Sequence, residues 1–136
     1  MNIKHLGSVI IAVSDLDKSV KFYSEVIGLP VKNKHGEWAE LGKDGATLIL
    51  HPASKPINTG TSIENGIVMG LVVGDIESAV QELKAKKVSI YREIASHKAG
   101  KNCILLDPDK YMISLFEPTY EGGPQQARGF HGFAPV

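Results

Sequence analysis

The chain has one cysteine and one tryptophan in 136 residues, and no net charge. The lone Cys103 excludes an internal disulfide and any multi-thiolate metal site within one chain. Fifteen Lys and Arg side chains balance fifteen Asp and Glu. With no net positive field and no basic run, neither nucleic acid nor a membrane surface is an expected partner. No apolar run is long enough to span a membrane, and the first residues lack a charged-then-apolar leader. A reducing, cytoplasmic setting is therefore expected. What is present suits a soluble folded chain, 43% hydrophobic and 22% charged. A chain of this length can bury about two-thirds of its unfolded surface, enough for one domain or two half-domains sharing a core.

The chain repeats itself. Val13-Ser14-Asp15-Leu16-Asp17-Lys18-Ser19-Val20 returns as Val73-Gly74-Asp75-Ile76-Glu77-Ser78-Ala79-Val80. Each copy ends an apolar run in Val-x-Asp and opens an amphipathic segment, so two similar halves around one cavity are expected. In the first half, Ser8 to Val13 reads as a buried strand. Ser14 or Asp15 can cap the helix that follows, because a short side-chain oxygen accepts from free backbone N–H groups. Leu16, Val20, Tyr23 and Ile27 recur at helical spacing, and Gly28 can close the helix in a left-handed conformation. Trp38 to Leu41 and Ala46 to His51 read as a hairpin around Gly42-Lys43-Asp44-Gly45.

In the second half, Ile67 to Val73 reads as a strand and Asp75 to Lys87 as a helix. Val88 to Arg92 is extended, and His97 to Asn102 is a polar turn. Cys103 to Leu106 and Tyr111 to Glu117 are strands joined by Asp107-Pro108-Asp109-Lys110, whose aspartates bond the local backbone. Pro52 to Asn65 joins the halves. The Gly- and Pro-rich tail 119–136 has no periodicity but carries Phe130, His131 and Phe133, which suit packing on a partner chain or over a cavity mouth as well as a free terminus.

The run Val13 to Tyr23, the segment Val26-Ile27-Gly28-Leu29 and the segment Asp107 to Leu115 resemble the vicinal oxygen chelate superfamily. This is the glyoxalase, bleomycin-resistance and extradiol-dioxygenase group. Trp38-Ala39-Glu40-Leu41 and Thr47-Leu48-Ile49-Leu50-His51-Pro52 look like the middle hairpin of its small members. The resemblance implies an α+β fold of two β-α-β-β-β modules forming an open barrel-like mixed sheet. Residues 1–118 would be a single domain, with module one over 6–52, a linker over 53–65 and module two over 66–118. It also implies a homodimer, and a divalent metal in the enzymatic members.

Those members usually take His from the first strand and Glu from the last strand of each module. Imidazole and carboxylate hold a divalent ion while leaving positions open for substrate oxygens. Counting from the two Val-x-Asp motifs and from Asp107-Pro108-Asp109 places the four positions on Ser8, Ile49, Val68 and Ser114. None is a usual ligand, so no metal and no cofactor are expected. His51 shares its strand face with Ile49, whereas Glu117 and His5 face away from the neighbouring positions. A divergent metal site remains the alternative.

Strand alternation gives the cavity-facing set: Ser8, Ile10, Ala12, Thr47, Ile49, His51, Val68, Gly70, Val72, Met112, Ser114 and Phe116. Val9, Ile11, Val13, Ile67, Met69 and Leu71 should pack under the helices. The cavity set is mostly apolar with a few hydroxyls and one histidine, which suits a small organic ligand. Ser8, Ile10, Thr47, Ile49, His51, Val68, Gly70, Met112, Ser114 and Phe116 are the candidate binding residues. His51 is the candidate acid or base, since imidazole exchanges protons near neutrality. A histidine at a strand end bonded to a carbonyl is the bland alternative. Glu40 could face the cavity, and Trp38 suits core or dimer packing. The expected function is metal-free binding of a small, largely apolar ligand by a homodimer. The alternative is a glyoxalase-type lyase or isomerase with a divergent metal site or with His51.

Overall fold

A computed structural model describes residues 1–58 and 66–119. The tail beyond Thr119, with Phe130, His131 and Phe133, lies outside the described residues. The chain divides into two compact units, Met1–Asn58 and Thr59–Val136. The division falls inside the segment expected to join the modules.

In the first unit, β1 (Ser8–Val13) leads to α1 (Leu16–Lys21), then β2 (Val31–Lys34), β3 (Ala39–Leu41) and β4 (Thr47–Pro52). The sheet order is β1-β4-β3-β2, with β1 parallel to β4 and the other pairs antiparallel. In the second unit, β5 (Met69–Val72) leads to α2 (Ile76–Ala85), β6 (Ile90–His97), β7 (Gly100–Leu106) and β8 (Met112–Pro118). Its order is β5-β8-β7-β6, the same arrangement repeated. The sequence repeat is thus a repeat of topology, and the fold is α+β with two mixed sheets that do not close on themselves.

The paired caps explain why each helix starts where it does. Asp15 is extended (φ −140°, ψ 104°) and its carboxylate accepts from the Lys18 N–H at 3.1 Å. Asp75 is extended (φ −138°, ψ 97°) and accepts from the Ser78 N–H at 3.1 Å. Each acid satisfies a donor that the first helical turn cannot.

Three local expectations change. The single first helix is an α-helix to Lys21 followed by a π-helical turn, Phe22–Ile27, closed by Gly28 at φ 98°. β2 fills the strand position that the β-α-β-β-β pattern requires but that no residues had been assigned to, since all four of its residues are exposed and give no apolar alternation. His97 to Asn102 is not a turn. His97 pairs with Gly100 across a two-residue loop, and Lys101 and Asn102 lie within β7.

The core of each unit lies between sheet and helix. In the first, Val13, Tyr23, Leu41 and Leu50 are buried, with Ile11 and Leu48 on the same side. In the second, α2 packs on β6, β7 and β8, burying Ile76, Val80 and Leu83 with Cys103, Leu105, Ile113 and Leu115. Each fully buried aliphatic side chain contributes about 1.5–3 kcal/mol. Ile67 departs from expectation. It precedes β5 and is 84% exposed instead of packing under the helix.

Candidate functional site

Each sheet has a second face, turned away from its helix. Parallel pairing in the first unit sets Ser8 beside Thr47, Ile10 beside Ile49 and Ala12 beside His51. Glu40 lies opposite Ile49. These residues share one face because partners across a ladder point the same way. Ile10 is 65% exposed there, while Ile11 next to it is buried.

The polar groups on this face are engaged. The Lys32 ammonium donates to Thr47 Oγ1 at 2.9 Å. Trp38 Nε1 donates to Glu40 Oε2 at 3.2 Å, and His35 Nε2 lies 3.3 Å from the same oxygen. The His35 and Trp38 rings sit 4.2 Å apart at a 35° tilt. Trp38 is thus half-buried in a small His-Trp-Glu cluster. His51 is exposed, with Nδ1 3.0 Å from the Pro52 carbonyl. A carbonyl only accepts, so Nδ1 is the donor in this contact. The strand-end histidine bonded to a carbonyl is what the structure shows.

In the second unit the equivalent face carries Gly70 beside Ser114 and Val72 beside Phe116. Antiparallel pairing adds Asn102 opposite Phe116, Ile104 opposite Ser114 and Leu106 opposite Met112. Val68 precedes the first residue of β5 and is half-buried. Met112, Ser114, Phe116, Asn102 and Ile104 are all buried.

A polar chain crosses this surface. His97 Nε2 lies 2.6 Å from Asn102 Oδ1, and Asn102 Nδ2 donates to Ser114 Oγ at 3.5 Å, the outer limit for such a bond. The amide oxygen only accepts, so His97 Nε2 is the donor and the chain runs from His97 through Asn102 to Ser114.

Arg92 belongs to the same surface. It pairs with Ile104, which pairs with Ser114. Its neighbour Glu93 faces the helix, where its carboxylate accepts from Lys84 of α2 at 2.8 Å. Arg92 Nη1 is shielded from solvent and has no hydrogen-bond acceptor among the described residues.

Sequence reasoning missed Arg92, His97 and Asn102 as site residues. Ending the strand at Arg92 and reading His97 to Asn102 as a turn removed the alternation that would have given their face. Arg92, His97 and Asn102 fall five residues apart, across register shifts and a hairpin, so no count by twos joins them.

Of the four positions counted from the sequence motifs, Ser8, Ile49 and Ser114 lie on the sheet faces turned from the helices. Ser8 and Ile49 sit one diagonal apart across β1 and β4. Ser114 sits on β8, and Val68 just before β5. Two hydroxyls and two hydrocarbons do not fit a divalent ion of the usual His and Glu set.

Elsewhere, ligand atoms of Asp75, Glu77 and Glu117 lie within 4.8 Å of one another. Those acids already have roles. Asp75 caps α2, Glu117 Oε1 accepts from the Ile76 N–H at 2.9 Å, and Glu77 Oε1 accepts from Lys101 at 2.6 Å. The bond from Lys101 lowers the Glu77 pKa, and the same bond raises that of Lys101.

Cys103 lies on the helix side. Its Sγ donates to the Arg92 carbonyl at 3.2 Å. Burial, reinforced by the nearby Glu93 charge, pushes the thiol pKa up to about 11. A thiol held protonated is a poor nucleophile, so Cys103 serves packing.

Comparison with known proteins follows the same lines. Residues 2–115 match the family model described as Glyoxalase/Bleomycin resistance protein/Dioxygenase superfamily. A probable lactoylglutathione lyase of Vibrio parahaemolyticus is 35% identical, covering 77% of this chain and 84% of that protein. The human mitochondrial methylmalonyl-CoA epimerase is 31% identical over 79% of this chain and 68% of that protein. The lactoylglutathione lyase of Schizosaccharomyces pombe is 28% identical, and this chain spans about half of it (48%). Among solved structures, TnmS3, an antibiotic-binding protein from Streptomyces sp. CB03234, superposes with a TM-score of 0.70 at 20% identity, covering 88% of this chain and 99% of that one.

Proposed function

Because this chain belongs to the glyoxalase/bleomycin resistance protein/dioxygenase superfamily, we propose that it is a metal-free binding protein for a small, largely apolar organic ligand, acting as a homodimer. The observation that carries the reading is the donor set at the four expected metal positions. Ser8, Ile49, Val68 and Ser114 offer no imidazole and no carboxylate. The faces that hold these positions keep the other property of the family's sites, an apolar surface with a few polar groups. Ile10 and Val72 supply exposed hydrophobic area, Ile49 lies half-buried beside Ile10, and Thr47 supplies a hydroxyl, while Met112, Ser114 and Phe116 are buried beneath. An antibiotic-binding protein shares this fold, so ligand capture is an established use of it.

The test is elemental analysis of protein purified without chelators, followed by calorimetric titration with a panel of apolar and aromatic compounds. Less than about 0.1 equivalent of nickel, zinc, manganese or iron and saturable binding are expected, the low metal content following from the missing donors. Stoichiometric metal, or no saturable binding across the panel, would overturn the reading. Light scattering should give twice the 14.7 kDa chain mass.

A second reading is supported by the relatives named as lactoylglutathione lyases. In that case the chain is a lyase or isomerase with His51 as acid or base. The Nδ1 bond to Pro52 orients the ring. A His51→Ala variant with unchanged turnover would remove this reading.

A further inference from the structure

We propose that Arg92 anchors the carboxylate of the bound ligand on the helix-free face of the second sheet, so that the ligand has an apolar body and one anionic end. The inference rests on the ligand-binding reading above and narrows it to a chemical class.

Three observations meet at Arg92. The first is its direction. Glu93 bonds to Lys84 of α2, so the adjacent Arg92 projects from the opposite face, in the row Arg92, Ile104, Ser114, Gly70. The second is one unsatisfied donor. Nη1 is excluded from water and meets no acceptor among the described residues. A guanidinium has only donors, so the shielded nitrogen of the half-buried Arg92 is satisfied only by an acceptor brought to it. A desolvated cationic donor without an acceptor is costly, and proteins keep such groups where a ligand completes them.

The third is the company it keeps. Asn102 and Ser114 bring a buried amide and hydroxyl to the same face, while Ile104, Met112 and Phe116 make the rest apolar. Strand spacing puts Arg92 and Ser114 about 10 Å apart at Cα, a span suited to a small molecule lying across β7.

The charge and shape of the group indicate a carboxylate. The planar guanidinium presents a fork of donors that matches two coplanar oxygens. Among the described residues Arg92 is the guanidinium on this face, and one positive charge balances a monoanion. No covalent step is involved, only a charge-assisted hydrogen bond replacing solvent on the ligand.

The test is titration calorimetry on the full chain with matched acid and amide pairs: benzoate and benzamide, phenylacetate and phenylacetamide, octanoate and octanamide. Inorganic phosphate is a further arm. The wild type should bind at least one acid about tenfold or more tighter than its amide, the discrimination expected of a hydrogen bond to a charged group. Arg92→Met should erase that preference while leaving the amide affinity within about twofold. It should also melt no lower than the wild type when unliganded, because methionine removes a buried donor that has no partner.

Equal binding of acids and amides by the wild type would overturn the carboxylate assignment and leave the binding reading standing. No saturable binding of either would overturn both. Tighter binding of phosphate than of every acid would overturn the carboxylate as the group recognised. A large fall in melting temperature for unliganded Arg92→Met would make Arg92 a structural residue and overturn the proposal.

Discussion

Gly100 opens β7 at the point where the second sheet is most tightly interlocked, and replacing it with alanine should be severely destabilising. Its φ is +155°, outside the range that side-chain-bearing residues favour. A Cβ built there would lie 2.1 Å from the Glu117 carbonyl oxygen and 3.0 Å from the Phe116 ring. The carbonyl is backbone in the neighbouring strand, so it cannot swing aside as a long side chain would. Gly100 is also paired to His97 on one side and Pro118 on the other, which leaves β7 little room to retreat.

Strained backbone of this kind costs about 1–3 kcal/mol, and overpacking against a fixed neighbour adds about 1–3 kcal/mol. The expected loss is therefore roughly 2–6 kcal/mol, or on the order of 6–20 °C in Tm for a chain of this size. Urea denaturation followed by circular dichroism measures it, with Gly36→Ala as the control. A Cβ at Gly36 would meet no atom within 4 Å, so the control should lie within about 0.5 kcal/mol of wild type. Gly100→Ala with a stability matching that of Gly36→Ala would refute the close approach of β7 and β8 described above. The variant should also weaken ligand binding, because the same hairpin positions His97 and Asn102.

Raising the pH should destabilise the protein through Cys103. Its folded pKa of about 11 lies above the ordinary 9.0, so the folded state holds the proton more tightly. The associated stability is complete below pH 9 and disappears as pH rises through 11, amounting to roughly 3 kcal/mol. A Cys103→Ala variant whose stability fell just as steeply over that range would assign the loss to other groups. Ser19 is buried in α1, and its hydroxyl has no hydrogen-bond partner among the described residues, so Ser19→Ala should be neutral or stabilising by up to about 1 kcal/mol, read from the urea midpoint. Glu117→Ala removes the acceptor for the Ile76 N–H and should cost about 1–3 kcal/mol, whereas Glu117→Gln should recover about half of that through its amide oxygen.

What the sequence disclosed depended on whether a residue's role was local. Asp15 and Asp75 cap helices through bonds to residues three positions on, so the Val-x-Asp repeat was enough to find them. Asp107 was legible for the same reason. Its Oδ1 accepts from Asp109 and Tyr111 N–H groups, both at 2.8 Å, within the expected turn. Gly28 closed its helix as expected.

β2 escaped because it is an exposed edge strand of Val31, Lys32, Asn33 and Lys34, where pairing leaves no hydrophobic trace. Asn102 escaped because polar residues usually mark turns, while this one is buried and bonded to a histidine across a hairpin. Arg92 follows a bulge in the β6–β7 register, and a bulge breaks the count by twos on which face assignment depends. The apolar faces were readable, and the polar ones required the pairing.

The carboxylate of Glu117 ties the end of β8 to the first amide of α2. The matching position in the earlier half, three residues beyond Ile49, is Pro52, which has no side-chain acceptor. The duplicated halves have therefore become mechanically unequal. Loosening the start of α2 means unclasping a strand forty-one residues downstream, while the first turn of α1 is held to its sheet by the solvent-exposed Lys34–Asp17 ion pair, a weaker clasp. Hydrogen exchange should show this as amides near Ile76 opening together with the last strand, and amides near Leu16 opening alone.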